Sequence, residues 1–152
     1  MTHEEYQSRI DEAKEELREQ VLSELKRMND YEVVDVCNEY CNEANYPDDH
    51  IYSIDEFDDF TQNISSPSEL VRMVQFGNFD IRNKYFWTNG YGNLESSNRV
   101  ADFPVALEDV ADYVADNECS LENITIRDCI EEYNDKLVEI EEEYEDTREE
   151  ME

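Results

Sequence analysis

Apolar residues recur at steps of three and four at both ends of this chain, and that spacing restricts the folds open to it. Near the N-terminus they are Tyr6, Ile10, Ala13, Leu17, Val21, Leu25 and Met28. Near the C-terminus they are Ile126, Ile130, Tyr133, Leu137, Ile140 and Tyr144. Such steps line up on one side of an α-helix, so helices are predicted over residues 1–29 and 125–147, with a frayed tail at 148–152. Thr2 and Glu5 carry the capping-box signature at the start of the first helix. Thr125 with Asp128 is the expected cap of the second. At 1.5 Å per residue the first helix is about 40 Å long. A seam this narrow must be covered by another helix. An antiparallel pair within one chain does so and is the favoured arrangement; a homodimer through the same heptad helices fits the spacing almost as well.

The middle, residues 31–127, reads as mixed. A helix is expected from Tyr31 to Ala44, with Val33, Val36, Cys37, Tyr40, Cys41 and Ala44 on its apolar side. Ser53-Ile54-Asp55-Glu56 is a second capping signature, opening a short helix with Phe57 and Phe60. Ser66-Pro67-Ser68-Glu69 combines a serine cap, a proline at the first helical position and a glutamate at the third, and Gly77 is placed to end that helix. The period then changes. Tyr85-Phe86-Trp87-Thr88 and Tyr91-Gly92-Asn93-Leu94 flank Asn89-Gly90, a strong hairpin signal. A two-residue turn would set Trp87 opposite Gly92 and Tyr85 opposite Leu94. Phe79 and Ile81 are candidates for a neighbouring strand, and a further helix is expected from Ala106 to Ala115.

The sum is a single α+β domain over residues 1–152, mostly helical. Long N- and C-terminal helices pack with shorter helices and a small antiparallel β-hairpin or sheet. Apolar residues make up 39% of the chain, including ten tyrosines, six phenylalanines and one tryptophan. That suffices for a core, so the acidity described next is not a mark of disorder.

The chain carries 42 Asp and Glu against 12 Lys and Arg, a formal net charge of −30. Solubility of a small domain needs a net charge of only about 2–8 in magnitude, and self-repulsion at higher density opposes compaction. A surface of this sign repels nucleic acid and anionic membrane and attracts basic proteins. Direct nucleic-acid binding and membrane binding are therefore not expected. No apolar run approaches the roughly 20 residues of a membrane span, and the N-terminus has no signal-peptide core, so a cytoplasmic location is expected. Cys37, Cys41, Cys119 and Cys129 are then expected to be reduced, buried thiols.

Signatures of catalysis are missing: there is no phosphate-binding glycine loop, nucleophile elbow or HExxH motif. Only His3 and His50 are available. No enzymatic role, catalytic residue, cofactor or metal is expected. Asp55-Glu56-Phe57-Asp58-Asp59 lacks the alternation and central glycine of a calcium loop, and the cysteine spacing is not that of a zinc knuckle.

The charge itself is what remains. Residues 128–152 hold 13 acids and 2 bases. Glu139, Glu141, Glu142, Glu143, Glu145 and Asp146 lie on that helix away from its seam. A second group, Asp48, Asp49, Asp55, Glu56, Asp58 and Asp59, surrounds the short middle helix. These twelve residues are the expected partner-binding set. Duplex DNA carries one negative charge per roughly 1.7 Å of axis, and carboxylates fixed on helices can present a comparable field. The expected function is DNA mimicry: occupation of the basic groove of a nucleic-acid-binding protein. Two alternatives stay open. One is an acidic chaperone or structural partner of a basic protein; the other is a solvated or halophilic surface with no partner.

Lys84-Tyr85-Phe86-Trp87-Thr88-Asn89-Gly90-Tyr91-Gly92-Asn93-Leu94-Glu95-Ser96, with Tyr46-Pro47-Asp48-Asp49, Ile51-Tyr52-Ser53 and Asp55-Glu56-Phe57 before it, resembles a family of small acidic accessory proteins. These are carried by phages and mobile elements of Gram-positive and gut bacteria. The resemblance covers roughly residues 37–115. It implies a phage-borne inhibitor of a host defence nuclease, of the anti-CRISPR or anti-restriction kind, acting in the host cell cytoplasm. The alternative that stays open is an acidic chaperone or structural partner of a basic phage or toxin protein, without nuclease inhibition. It assigns no site residues. For the hairpin, Trp87 in the core is the favoured reading; the other makes Tyr85, Trp87 and Tyr91 an exposed partner contact.

Overall fold

The computed structural model describes residues 2–46, 49–118 and 121–151, with the side chains of the last helix described as far as Glu145. The fold is α+β and mostly helical. Its elements run α1 (His3–Arg27), α2 (Asp30–Glu43), β1 (Tyr52–Ser53), α3 (Phe57–Gln62), α4 (Pro67–Gln75), β2 (Tyr85–Thr88), β3 (Leu94–Ser97), α5 (Leu107–Asn117) and α6 (Ile124–Met151). Short 3₁₀ turns at Ile54–Glu56 and Val100–Asp102 complete the order. Two compact units result: residues 1–28 with 107–152, and residues 29–106.

The first unit is a helical hairpin joined by α5. The Glu5 N–H donates to Thr2 Oγ1 at 3.1 Å, so Thr2 caps α1 as its position predicts. Ala13, Leu17, Val21 and Leu25 are buried on α1, and Ile126, Ile130, Tyr133 and Ile140 on α6. The seam thus closes within one chain. Its direction is antiparallel: Arg9 pairs with Glu143, Lys136 Nζ lies 2.6 Å from Glu16, and Gln20 Nε2 donates to Glu132 at 3.0 Å. Tyr6 stacks on Tyr144 with ring centroids 4.4 Å apart, which closes the outer end of the seam.

Two expectations are corrected in this unit. The cap of α6 is Asn123, whose Oδ1 accepts the Ile126 N–H at 3.1 Å, and the helix begins at Ile124 ahead of Thr125. Asparagine serves as well as threonine at a cap, and an apolar first residue hid the start. The helix expected at Ala106–Ala115 is α5; it packs on α1 rather than joining the middle segment. Its buried Val110, Ala111, Val114 and Ala115 give it a close-packing face for a long helix.

In the second unit α2 is capped by Asn29, which accepts the Glu32 N–H at 3.0 Å. It ends with Asn45 at φ +65 and the Tyr46 N–H donating to the Cys41 carbonyl at 2.7 Å, a left-handed stop. Asn38 clamps the Ile51 backbone from both sides, donating to its carbonyl at 2.8 Å and accepting its N–H at 2.7 Å. Ser66 caps α4, accepting the Glu69 N–H at 3.3 Å, and Pro67 opens it. Gly77 follows α4 for a reason beyond helix ending. A Cβ there would stand 1.8 Å from the Leu94 carbonyl oxygen.

The three strands are antiparallel in the order β1-β2-β3. The hairpin register differs from a two-residue turn: Thr88 pairs with Leu94, Trp87 with Glu95, Phe86 with Ser96 and Tyr85 with Ser97. A two-residue turn needs Asn89 and Gly90 both at positive φ, whereas the only positive-φ glycine is Gly92, at +78. The loop is therefore Gly90-Tyr91-Gly92, closed by the Asn89 N–H donating to the Asn93 carbonyl at 2.8 Å. The shift is an odd number of residues, so it moves Leu94 from the Trp87 face to the Phe86 face. There Phe86, Leu94 and Met73 make a core with Phe57, Phe60 and Phe79 packed around them. Trp87 and Tyr85 point the other way, and each meets Phe103 edge-on, at 5.8 and 5.6 Å. The strand beside β2 is β1, not Phe79 and Ile81. Phe79 is a core ring stacked on Phe57 at 5.0 Å, and Ile81 is exposed in the turn that follows.

Candidate acidic partner surface

α6 displays its acids on the sides that the seam leaves open. Glu131, Glu132, Asp135, Glu139, Glu141, Glu142, Glu143 and Glu145 are all exposed. From Glu131 to Glu145 the axis advances about 21 Å, one carboxylate per roughly 2.6 Å. The only cation of that stretch, Lys136, is turned to Glu16 of α1. Arg9 of α1 neutralises Glu143. None of the salt bridges among the described residues involves Glu139, Glu141, Glu142 or Glu145. Glu139 also lines an open groove between α1 and α6, with Glu12, Glu16, Arg9 and Lys136. The Asp146 side chain lies outside the described residues.

The middle group sits in the other unit. Asp55 and Glu56 lie on the 3₁₀ turn, and Asp58 and Asp59 in the first turn of α3; all four are exposed. Negative charge in a first turn suits the positive end of the helix. Glu56 is partly committed, because its Oε2 accepts the Ser53 N–H at 3.0 Å and completes a capping box. Asp49 is half-buried, with its carbonyl 3.8 Å from Cys41 Sγ. Asp48 lies outside the described residues. The structure therefore gathers Asp55, Asp58 and Asp59 on one short segment and sets Asp49 apart from it on the α2 side.

Both units are acidic. The first, residues 1–28 with 107–152, holds 27 acids and 8 bases, net −19. The second holds 15 acids and 4 bases, net −11. Elsewhere on the surface several acids are matched: Arg18 with Glu15, Arg82 with Asp80, and Lys84 with Asp30. The Arg82 side chain and N–H hold Asp80 down at about 2.

Cys37, Cys41 and Cys129 are buried and unbridged. Burial pushes Cys37 up to about 12, and Cys41 and Cys129 up to about 11, so the thiolate needed by a nucleophile or ligand is suppressed. Cys119 lies outside the described residues. Among the described residues no group of three His, Cys, Asp or Glu is placed to hold a metal ion, and no helix is long and apolar enough to cross a membrane.

The hairpin aromatics separate into two roles. Tyr85 and Trp87 are 7% and 6% exposed, whereas Tyr91 is 88% exposed. Trp87 thus belongs to the core and only Tyr91 is open to a partner. Asn89, expected as the first residue of a two-residue turn, instead organises the loop beneath Tyr91 through three side-chain hydrogen bonds. The second glycine in Asn-Gly-Tyr-Gly was its signal, since that glycine takes the left-handed position and frees Asn89 to remain in the ladder. Comparisons with protein-family models, curated proteins and solved structures return no match.

Proposed function

We propose that this chain is an acidic inhibitor that mimics DNA and occupies the basic nucleic-acid groove of a host defence nuclease, of a CRISPR or restriction system. The observation that supports this reading best is the outward side of α6, where exposed carboxylates follow one another along a helix and Glu139, Glu141, Glu142 and Glu145 take part in no salt bridge among the described residues. The opposite side of α6 is held by α1, so the charges stand on a braced helix rather than a solvated tail. Lysines and arginines that a nuclease uses on phosphates would meet carboxylates along α6 at about two-thirds of the charge density of duplex DNA. No pocket, cofactor or catalytic group is needed for occlusion.

The test is inhibition and competition with purified CRISPR effector and restriction nucleases. The protein is expected to displace labelled DNA and to stop cleavage, with affinity falling at least about tenfold between low and physiological salt as screening sets in. Replacing Glu139, Glu141, Glu142 and Glu145 together by glutamine should weaken inhibition about tenfold or more while circular dichroism stays helical. A salt-insensitive complex, or one that leaves DNA bound, would exclude mimicry. A salt-sensitive complex with a basic protein that inhibits nothing would support the chaperone reading instead.

A further inference from the structure

Tyr91 is the most exposed of the large hydrophobic side chains in the described structure, at 88%, and it is not on a floppy loop. Asn89 Oδ1 accepts the N–H of Tyr91 at 2.9 Å and of Asn93 at 3.0 Å, while Asn89 Nδ2 donates to Glu95 at 2.9 Å. The Gly92 N–H donates to the Asn89 carbonyl at 3.0 Å, and Gly92 takes the left-handed conformation that the loop requires. Gly90 and Gly92 have nothing within 4 Å of where a Cβ would stand, so the loop tip is clear of the body of its unit. An aromatic ring held out on a hydrogen-bonded loop costs little conformational entropy to bind, which is how anchor residues work. Between Tyr85 and Ser97 the only charged residue is Glu95, at the foot of this loop, and the unit around it carries net −11.

From these features we infer that Tyr91 is a partner anchor whose ring face receives an arginine guanidinium of a basic protein surface. Glu95 and the net negative charge of the unit draw the cation in; the ring supplies a flat π-face that favours the planar guanidinium over the compact lysine ammonium. The inference rests on the reading that the partner is basic, and adds a contact that pure charge mimicry lacks.

The probes are an oligoarginine and an oligolysine of equal length, titrated into the full chain at low salt and followed by the NMR signals of the Tyr91 ring. Both should bind, with arginine preferred and the Tyr91 ring signals moved by oligoarginine. Tyr91→Ala should lower the arginine-to-lysine affinity ratio about two- to five-fold, and Tyr91→Phe should restore it. Asn89→Ala, which frees the loop, should lower it in part. An unchanged ratio in Tyr91→Ala would overturn the anchor while leaving the acidic surface intact. Binding of neither peptide would overturn the anchor together with the basic-partner reading beneath it.

Discussion

Gly77 and Gly90 are both followed by chain reversals, yet their side-chain hydrogens do different work. Gly77 lets α4 hand over to the next segment against the β3 backbone, where an added methyl would meet the Leu94 carbonyl oxygen at 1.8 Å. Backbone cannot yield as the end of a flexible side chain does. Gly77→Ala is expected to cost about 3 kcal/mol or more, read as a lower denaturant midpoint at unchanged slope. Gly90 has open space and an ordinary φ. Gly90→Ala should therefore be neutral or stabilise by about 0.4–1 kcal/mol through the unfolded chain. Equal losses in the two variants would show that the approach of Gly77 to β3 is not the constraint. Residue-level sequence reading found Gly77 but only its helix-ending role, because a close approach between segments 17 positions apart is not written in local spacing.

At the scale of elements, side-chain caps open α1, α2, α4 and α6, and apolar stripes set which sides they bury. The Ser53 and Ser66 caps lie where their Ser-x-x-Glu patterns predict, and the apolar steps of α1 and α6 are buried in the middle of the stripe and half-buried at Tyr6, Ile10, Met28, Leu137 and Tyr144. α6 tests the exception. With Asn123 as cap, Asn123→Ala should destabilise by about 1 kcal/mol and Thr125→Ala by much less, measured by thermal unfolding. The reverse order would return the cap to Thr125. The hairpin went astray for a different reason. Asn-Gly favours a two-residue turn locally, but only the longer loop puts Leu94 on the Phe86 side, where Met73 covers it. Burial of that leucine outweighs a turn preference. Local spacing also did not show that Asp49 is half-buried or that one oxygen of the exposed Glu56 serves the capping box.

For the molecule as a whole, a net charge of −30 is stored in a structure with two acidic units. Repulsion among these carboxylates opposes folding, and salt relieves it. Raising ionic strength from about 0.01 M to about 0.15 M shortens the screening length from roughly 30 Å to roughly 8 Å. The melting temperature is expected to rise by about 2–6 °C over that range, with the chain already folded at the lower salt. A chain that folds only in molar salt would belong to the halophilic reading. Composition and periodicity alone determined the helical majority, the antiparallel hairpin, the two seams and the sign of the surface, because spacing and charge are properties of the covalent chain. Tertiary structure alone decided which acids are spent. Lys136 and Arg9 reach across the α1–α6 seam to Glu16 and Glu143, and no salt bridge among the described residues takes Glu139, Glu141, Glu142 or Glu145. Those pairs depend on which helix packs beside which, and in which direction. The same holds for the register that buries Trp87 and leaves Tyr91 outside, since a strand's faces are assigned only when its partner is in place.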